Sequence, residues 1–205
     1  LRFEGVPLMR IGDSLREMDD AEYFAIISEQ SPDISATICE GLTINDLSET
    51  AIANLRHRIY QKQNNPNILT LPDGQLLSDL DLMSAEGKLT YAALILLGKS
   101  EIINQYLPQN NIALEYRANH TQIRHSARQE FKEPLVIAID KVWSYLNQPA
   151  SNPMQHIELM PQILDIPSFN SETIREAVLN AMIHRSFQMS GDIFIRQYPD
   201  EITIS

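Results

Sequence analysis

Apolar positions along this chain fall into short periodic blocks, and the blocks predict its elements. Residues 1–13 read as extended, with Phe3, Val6, Leu8 and Ile11 spaced by Gly5, Pro7 and Gly12. Asp13 and Ser14 offer caps for a helix from about Asp19 to Glu29, and Pro32 ends that segment. Thr43 to Asp46 starts a helix to about Gln61 that turns Leu47, Ala51, Ile52, Leu55 and Ile59 inward. Gln61 to Asn67 is polar, contains Pro66 and reads as a loop. The turn Pro72-Asp73-Gly74 leads into a short helix from Leu76 to Met83. Gly87 breaks the chain, and Thr90 to Leu97 is a compact apolar segment closed by Gly98. Ile112 to Tyr116 alternates as a strand, and the polar stretch 118–131 reads as a strand with a loop. Pro134 opens a helix to about Asn147, with Leu135, Ile139, Val142, Trp143 and Leu146 inward. Two prolines in 148–153 mark the best internal boundary. His156 to Met160 reads as a strand, and Asp192 to Gln197 with Glu201 to Ser205 as a hairpin about Tyr198-Pro199-Asp200.

Between these lies Phe169 to Phe187, which reads as one helix of about five turns. Ile174, Ala177, Val178, Ala181 and Met182 recur on one face. Asn170 or Ser171 can cap it, and with Asn170 as the cap, Phe169 and Ile174 form a hydrophobic staple. Glu176, Asn180 and His184 follow at i, i+4 and i+8, a polar stripe between Ala177 and Ala181 on one side and Leu179 and Ile183 on the other. Polar groups in such a frame lose water and need partners. Two readings fit. In one, a buried helix bonds its polar residues to neighbouring loops. In the other, a carboxylate and a carboxamide one turn apart hold a water and a cation beside a ligand. On chemistry alone the structural reading carries the greater weight.

Composition then narrows the choice. Of the 205 residues, 43% are apolar, enough for a substantial core, and no run of eighteen apolar residues spans a membrane. No signal region opens the chain, which begins at Leu1. The single Cys39 leaves no internal disulfide or cysteine-based zinc site and fits a reducing compartment. A net charge of −11 argues against a main nucleic-acid surface here, although Arg117, Arg124, Arg128 and Lys132, with His120 and His125, lie close together as a charge-rich loop. Ala93 to Ser100 imitates a phosphate loop, but its intervening Leu, Ile, Leu and Leu want burial where that loop needs small flexible residues. The five histidines show no metal-ligand spacing, no GxSxG elbow is present, and Asp79, Asp81 and Glu86 read as a solvated turn.

Read as a string, IREAVLNAMIHRSF resembles the N-box of the ATPases of the gyrase, heat-shock chaperone, histidine kinase and MutL type. More closely it resembles the divergent form in bacterial and archaeal proteins with an N-terminal Schlafen/AlbA-like domain, labelled transcriptional regulators or RecG-like ATP-dependent DNA helicases. Other stretches follow in order. VPLMRIGDSLREMDDAEYFAI is similar to the last strand and exit of the AlbA-like domain, ISATICEGLTINDLSETAI to the next segment, and GKLTYAALILLGKS to the "GKLTNAGLLLFGK" element. FKEPLVIAIDKVWSYL is similar to the helix before the ATPase-like region.

The resemblance implies an α+β fold: the exit of an AlbA-like domain over 1–30, a helical, partly winged-helix-like unit over 31–150, and the start of a helix-over-antiparallel-sheet ATPase-like domain over 151–205. It implies that Glu176 orients or activates the attacking water, that Asn180 ligates magnesium bridging the nucleotide phosphates, and that Ala181 lets ATP approach. His184 belongs to the same string and is placed with Asn180 and Ala181 among the cofactor-binding residues, although no specific role is assigned to it or to Arg185. The Asp-x-Gly-x-Gly loop that reads adenine does not occur in these residues, nor does a glycine-rich lid. The expectation is therefore a middle piece of a cytoplasmic, ATP-binding regulator that acts on DNA or RNA through the full-length protein. ATP hydrolysis is not expected of this piece, no membrane is involved, and a homodimer is compatible. The rival is a non-catalytic scaffold or dimerisation module.

Overall fold

Capping residues and apolar periodicity set where the helices of this chain begin and which side they bury. The computed structural model describes residues 2–3, 6–11, 14–19, 22, 34–121, 124–148, 151–159, 162–185, 187 and 191–205. These fall into two units, Leu1–Ile34 and Ser35–Ser205. In the first, strands β1 (Arg2–Phe3), β2 (Val6–Ile11) and β3 (Ser14–Glu17) pair antiparallel in sequence order. The helix expected from about Asp19 to Glu29 falls almost wholly outside the described residues.

The second unit opens with helices. Ile44–Asp46 forms one 3-10 turn, closed by the Thr43 amide and hydroxyl donating to Asp46 Oδ2 at 2.8 and 2.7 Å. The chain then extends at Leu47, so helix α1 (Glu49–Gln63) starts later than its apolar period suggests, under the Ser48 cap. Leu47 is pinned there by its bridge to Gly98. Helix α1 ends at Asn64, in the left-handed region at φ 52°, which asparagine tolerates. The expected loop after it holds a further short helix, α2 (Asn67–Thr70), begun by Pro66. Arg56 fastens that turn, donating to Ile68 O at 2.7 Å, to Leu71 O at 2.6 Å and to Asp73. Helix α3 (Asp73–Asp79) begins at the expected turn itself, because Pro72 and Asp73 suit a first helical turn. Helix α4 (Tyr91–Leu97) is capped by Thr90, and α5 (Ser100–Tyr106) follows directly. Leu76, Leu77, Leu89, Leu94, Leu97 and Ile103 form the centre of this helical core.

The rest of the unit is a sheet with helices on one face. Strands β4 (Ile112–Tyr116), β5 (Ala127–Phe131), β8 (Ile193–Gln197) and β9 (Ile202–Ile204) lie in the order β5-β4-β8-β9. The strand expected at 112–116 and the hairpin about 198–200 are both present. The sheet is mixed and not antiparallel throughout, because β4 and β8 run parallel. A parallel pair needs a long crossover, and here it contains α6 (Leu135–Leu146), the separate hairpin of β6 (Met154–Leu159) and β7 (Gln162–Pro167), and α7 (Ser171–Ile183). Ile112, Leu114, Ile193 and Ile195 from the sheet meet Ala138, Val142 and Leu146 of α6 and Ile174, Val178 and Met182 of α7.

Helix α6 is apolar on more than one side. Val136 packs into the helical core, while Ala138, Val142 and Leu146 pack into the sheet core. This is why Leu135, Ile139 and Trp143, which its period turns inward, are only half-buried. Residues on both sides of 148–153 belong to the same unit, and Ser151 and Asn152 there are buried. The architecture is α+β. Among the described residues, no helix is long and apolar enough to cross a membrane.

Candidate functional site

Helix α7 starts as its sequence dictates. The Asn170 side chain accepts a hydrogen bond from the Thr173 amide at 3.0 Å, and Phe169 and Ile174 both reach the sheet core. The start is held from outside by Asn152. Its Nδ2 donates to Phe169 O at 3.0 Å and its Oδ1 accepts from the Phe169 amide at 2.9 Å. Gln197, fully buried on β8, donates to Ser151 O, so the same turn is tied to the sheet. Asn152 carries no signal in the sequence beyond its place between prolines.

The helix buries Ile174, Val178 and Met182, and Ala181 is half-buried beside them. Ala177, expected on that face, is exposed. It lines an open groove of about 360 Å³ between α7 and β9, with Phe169, Thr173, Ile174, Ile202 and Ile204. The sheet meets the helix further round than the apolar count implies, and the groove takes the Ala177 side. Asn180, Ala181 and His184, one and two turns further along α7, do not line the groove.

Glu176, Asn180 and His184 are all exposed, so the expectation of a desolvated stripe does not hold. The frame is thin because Ala177 and Ile183 are themselves exposed. Among the described residues, the side chains of Glu176 and Asn180 make no hydrogen bond or ion pair. Their oxygens are therefore available to a ligand. A hard cation takes such oxygens, but two exposed side chains would be insufficient to hold one by themselves. Among the described residues no group of three or more His, Cys, Asp or Glu side chains could hold a metal ion.

Arg185 has a structural task. Its Nη2 donates to Gln109 O at 2.8 Å and to Gly191 O at 2.6 Å, and its guanidinium lies 4.9 Å from the centre of the Phe187 ring. Burial pushes its pKa down, and Asp192 partly offsets this. The arginine closes the end of α7 onto the turns before β4 and β8. The imitation phosphate loop is also structural. Residues 91–97 are helical, Leu94 and Leu97 are fully buried, and Lys99 donates to Asn45 O at 2.7 Å.

The charge-rich stretch 117–132 is divided by the fold. His120 stacks on Tyr198 and hydrogen-bonds Asp200, whereas Arg117 and Arg128 converge on Glu115. Burial pushes the Glu115 carboxyl up, but the hydrogen bond from Arg117 and the charges of Arg117, Arg128 and Arg196 hold it below the usual carboxylate range. A carboxylate with a lowered folded pKa stabilises above its unfolded value and loses that contribution as pH falls through the folded one. Acid titration of stability should therefore show a loss setting in below about pH 4.5 that Glu115→Gln lacks. Parallel curves for the two chains would refute it.

The DIP2311 protein of Corynebacterium diphtheriae, known from a crystal structure, has a similar fold, with a TM-score of 0.62 and 25% sequence identity over 94% of this chain. This chain spans 36% of that neighbour's length. No curated protein matches the sequence. Residues 23–113, which include α1 to α5, match the model of a family described as a domain of unknown function (DUF8451).

Proposed function

We propose that the chain is part of an ATP-binding, nucleic-acid-associated regulator of the Schlafen/AlbA-like type, with magnesium and ATP held against Glu176 and Asn180. In this reading the helical half is a winged-helix-like unit and the sheet half opens an ATPase-like domain. One observation supports the proposal: Glu176 and Asn180 lie one turn apart on α7, exposed and without a side-chain partner among the described residues, as the resembling string requires. In the resemblance Glu176 acts on water and Asn180 on the cation. Magnesium, when bound, would supply charge neutralisation at the phosphates. Asn180 would fix its position, Ala181 would leave room, and Glu176 would accept a proton from water. The partner is DNA or RNA and the compartment is the cytoplasm.

Calorimetry with Mg·ATP on the full-length protein and its Asn180→Ala variant tests this. The expected result is binding that weakens by about tenfold or more in the variant, the loss of one charge-assisted contact. Equal affinities would overturn the assignment. The second reading, a scaffold without nucleotide chemistry, is favoured by the lack of an Asp-x-Gly-x-Gly loop within these residues. It expects no binding by either protein.

A further inference from the structure

The sheet face turned away from α6 and α7 gathers cations in a chain of net charge −11. Side chains alternate across a strand, so with Leu114, Ile193 and Ile195 in the core, Glu115, Phe194 and Arg196 point to the other face. The register sets them in a row. Arg128 on β5 lies opposite Glu115 on β4, Glu115 lies opposite Arg196 on β8, and Arg196 lies opposite Thr203 on β9. Glu115 is 6% exposed beneath its partners, with Arg117 Nη2 at 2.8 Å, Arg128 Nη1 at 3.1 Å and Arg196 Nε at 3.7 Å from its oxygens. The guanidinium carbons of Arg128 and Arg196 lie 5.7 and 4.9 Å from the Phe194 ring centre. Glu130 pairs with Arg128 and Lys132 at the margin.

Four cations, Arg117, Arg128, Lys132 and Arg196, thus stand against two carboxylates, Glu115 and Glu130, in a chain whose net charge is −11. Arg128 also donates from Nε and Nη2 to Glu130 Oε1 at 3.2 and 2.8 Å, and Arg196 Nη1 to Ser205 Oγ at 3.0 Å, yet each guanidinium has five N–H donors, more than these contacts and Glu115 take up on Arg128 and Arg196. Glu115 orients the arginines and Phe194 stacks beneath two of them, leaving planar cations partly exposed at 32% for Arg128 and 29% for Arg196. Flat guanidiniums fixed over an aromatic ring suit two jobs at once. Their N–H edges take phosphate oxygens in pairs, and their faces accept a stacked base.

We propose that this face binds single-stranded nucleic acid, with phosphates on Arg128, Arg196 and Lys132 and bases stacked on the Arg–Phe194 layer. The assignment stands on charge and register on this face and is independent of the nucleotide reading of α7. The acidic remainder of the surface repels the polymer and confines contact to this face.

The test is fluorescence anisotropy of a labelled oligothymidylate with the 205-residue chain at two salt concentrations. Three phosphate contacts predict that affinity falls about twentyfold between 50 and 200 mM salt, and Arg196→Gln should reduce that factor to about sevenfold as well as weakening binding. Glu115→Gln removes one negative charge and keeps the side chain's shape, so it should tighten binding by about threefold or more. A purely structural cluster would give no such gain. Failure to bind, salt-independent binding, equal binding by Glu115→Gln and the parent, or displacement of the oligonucleotide by an equal charge of polyglutamate would each overturn the proposal. Preference for duplex of the same length would overturn the single-strand assignment.

Discussion

Gly98→Ala is expected to destabilise the chain by about 3 kcal/mol, a drop of roughly 6–12 °C in Tm. The backbone at Gly98 is ordinary, at φ −60° and ψ 149°, so no conformational need for glycine exists there. Space decides. A Cβ would sit 2.6 Å from Leu94 O, 2.8 Å from Leu94 Cδ1 and 3.0 Å from Ile103 Cγ1. The Leu94 carbonyl already accepts the Gly98 amide at 2.8 Å, so it cannot retreat without losing that bond. Leu94 and Ile103 are themselves buried in the helical core. Gly74→Ala is the contrasting control. Its Cβ would meet only Met83 Cε at 3.7 Å, and Gly74 lies within α3, so that change should be neutral or stabilise by about 0.5 kcal/mol. Urea denaturation of the two variants compares them directly. A Gly98→Ala variant within about 0.5 kcal/mol of the parent would remove the packing explanation.

Asn152→Ala should cost about 3 kcal/mol and loosen the start of α7 in particular. The side chain satisfies both backbone groups of Phe169 and is 6% exposed, so truncation removes the partners of a part-buried N–H and C=O. Asn152→Asp keeps an acceptor for the Phe169 amide and loses the donor to the carbonyl, and should cost about half as much. Denaturation gives the magnitude. Amide hydrogen exchange gives the location, with faster exchange expected at Phe169 and in the first turn of α7. Uniform acceleration across the chain, or no change at Phe169, would show that Asn152 does not position the helix.

These cases show what local pattern can and cannot carry. The cap at Asn170 and the staple of Phe169 and Ile174 are local chemistry, and both were legible from spacing. So were β4, the hairpin of β8 and β9, and the extent of α6. Helical period gives the angles between residues of α7 but not which angle meets the sheet, and the exposure of Ala177 and Asn180 follows from that missing choice. The parallel pairing of β4 with β8 leaves no mark near either strand. It alone brings Arg196 to Glu115, which is why Arg117 and Arg128 read as loop charge. Asn152 was invisible for the opposite reason: a polar residue among prolines looks like a linker unless its distant partner, Phe169, is known.

The same parallel pair has a kinetic consequence. Ile112 pairs with Ile193, 81 positions later, while its other neighbour, β5, follows within one hairpin. A ribosome adding about 5–20 residues per second would leave that edge of β4 without β8 for roughly 4–16 s after its own synthesis. During that interval β4, β5 and α6 can assemble, but the Glu115 carboxylate lacks Arg196 and the sheet core lacks Ile193 and Ile195. The nascent chain is then an open-edged hairpin with a helix on one side, and β8 on arrival brings the missing core residues and Arg196 together.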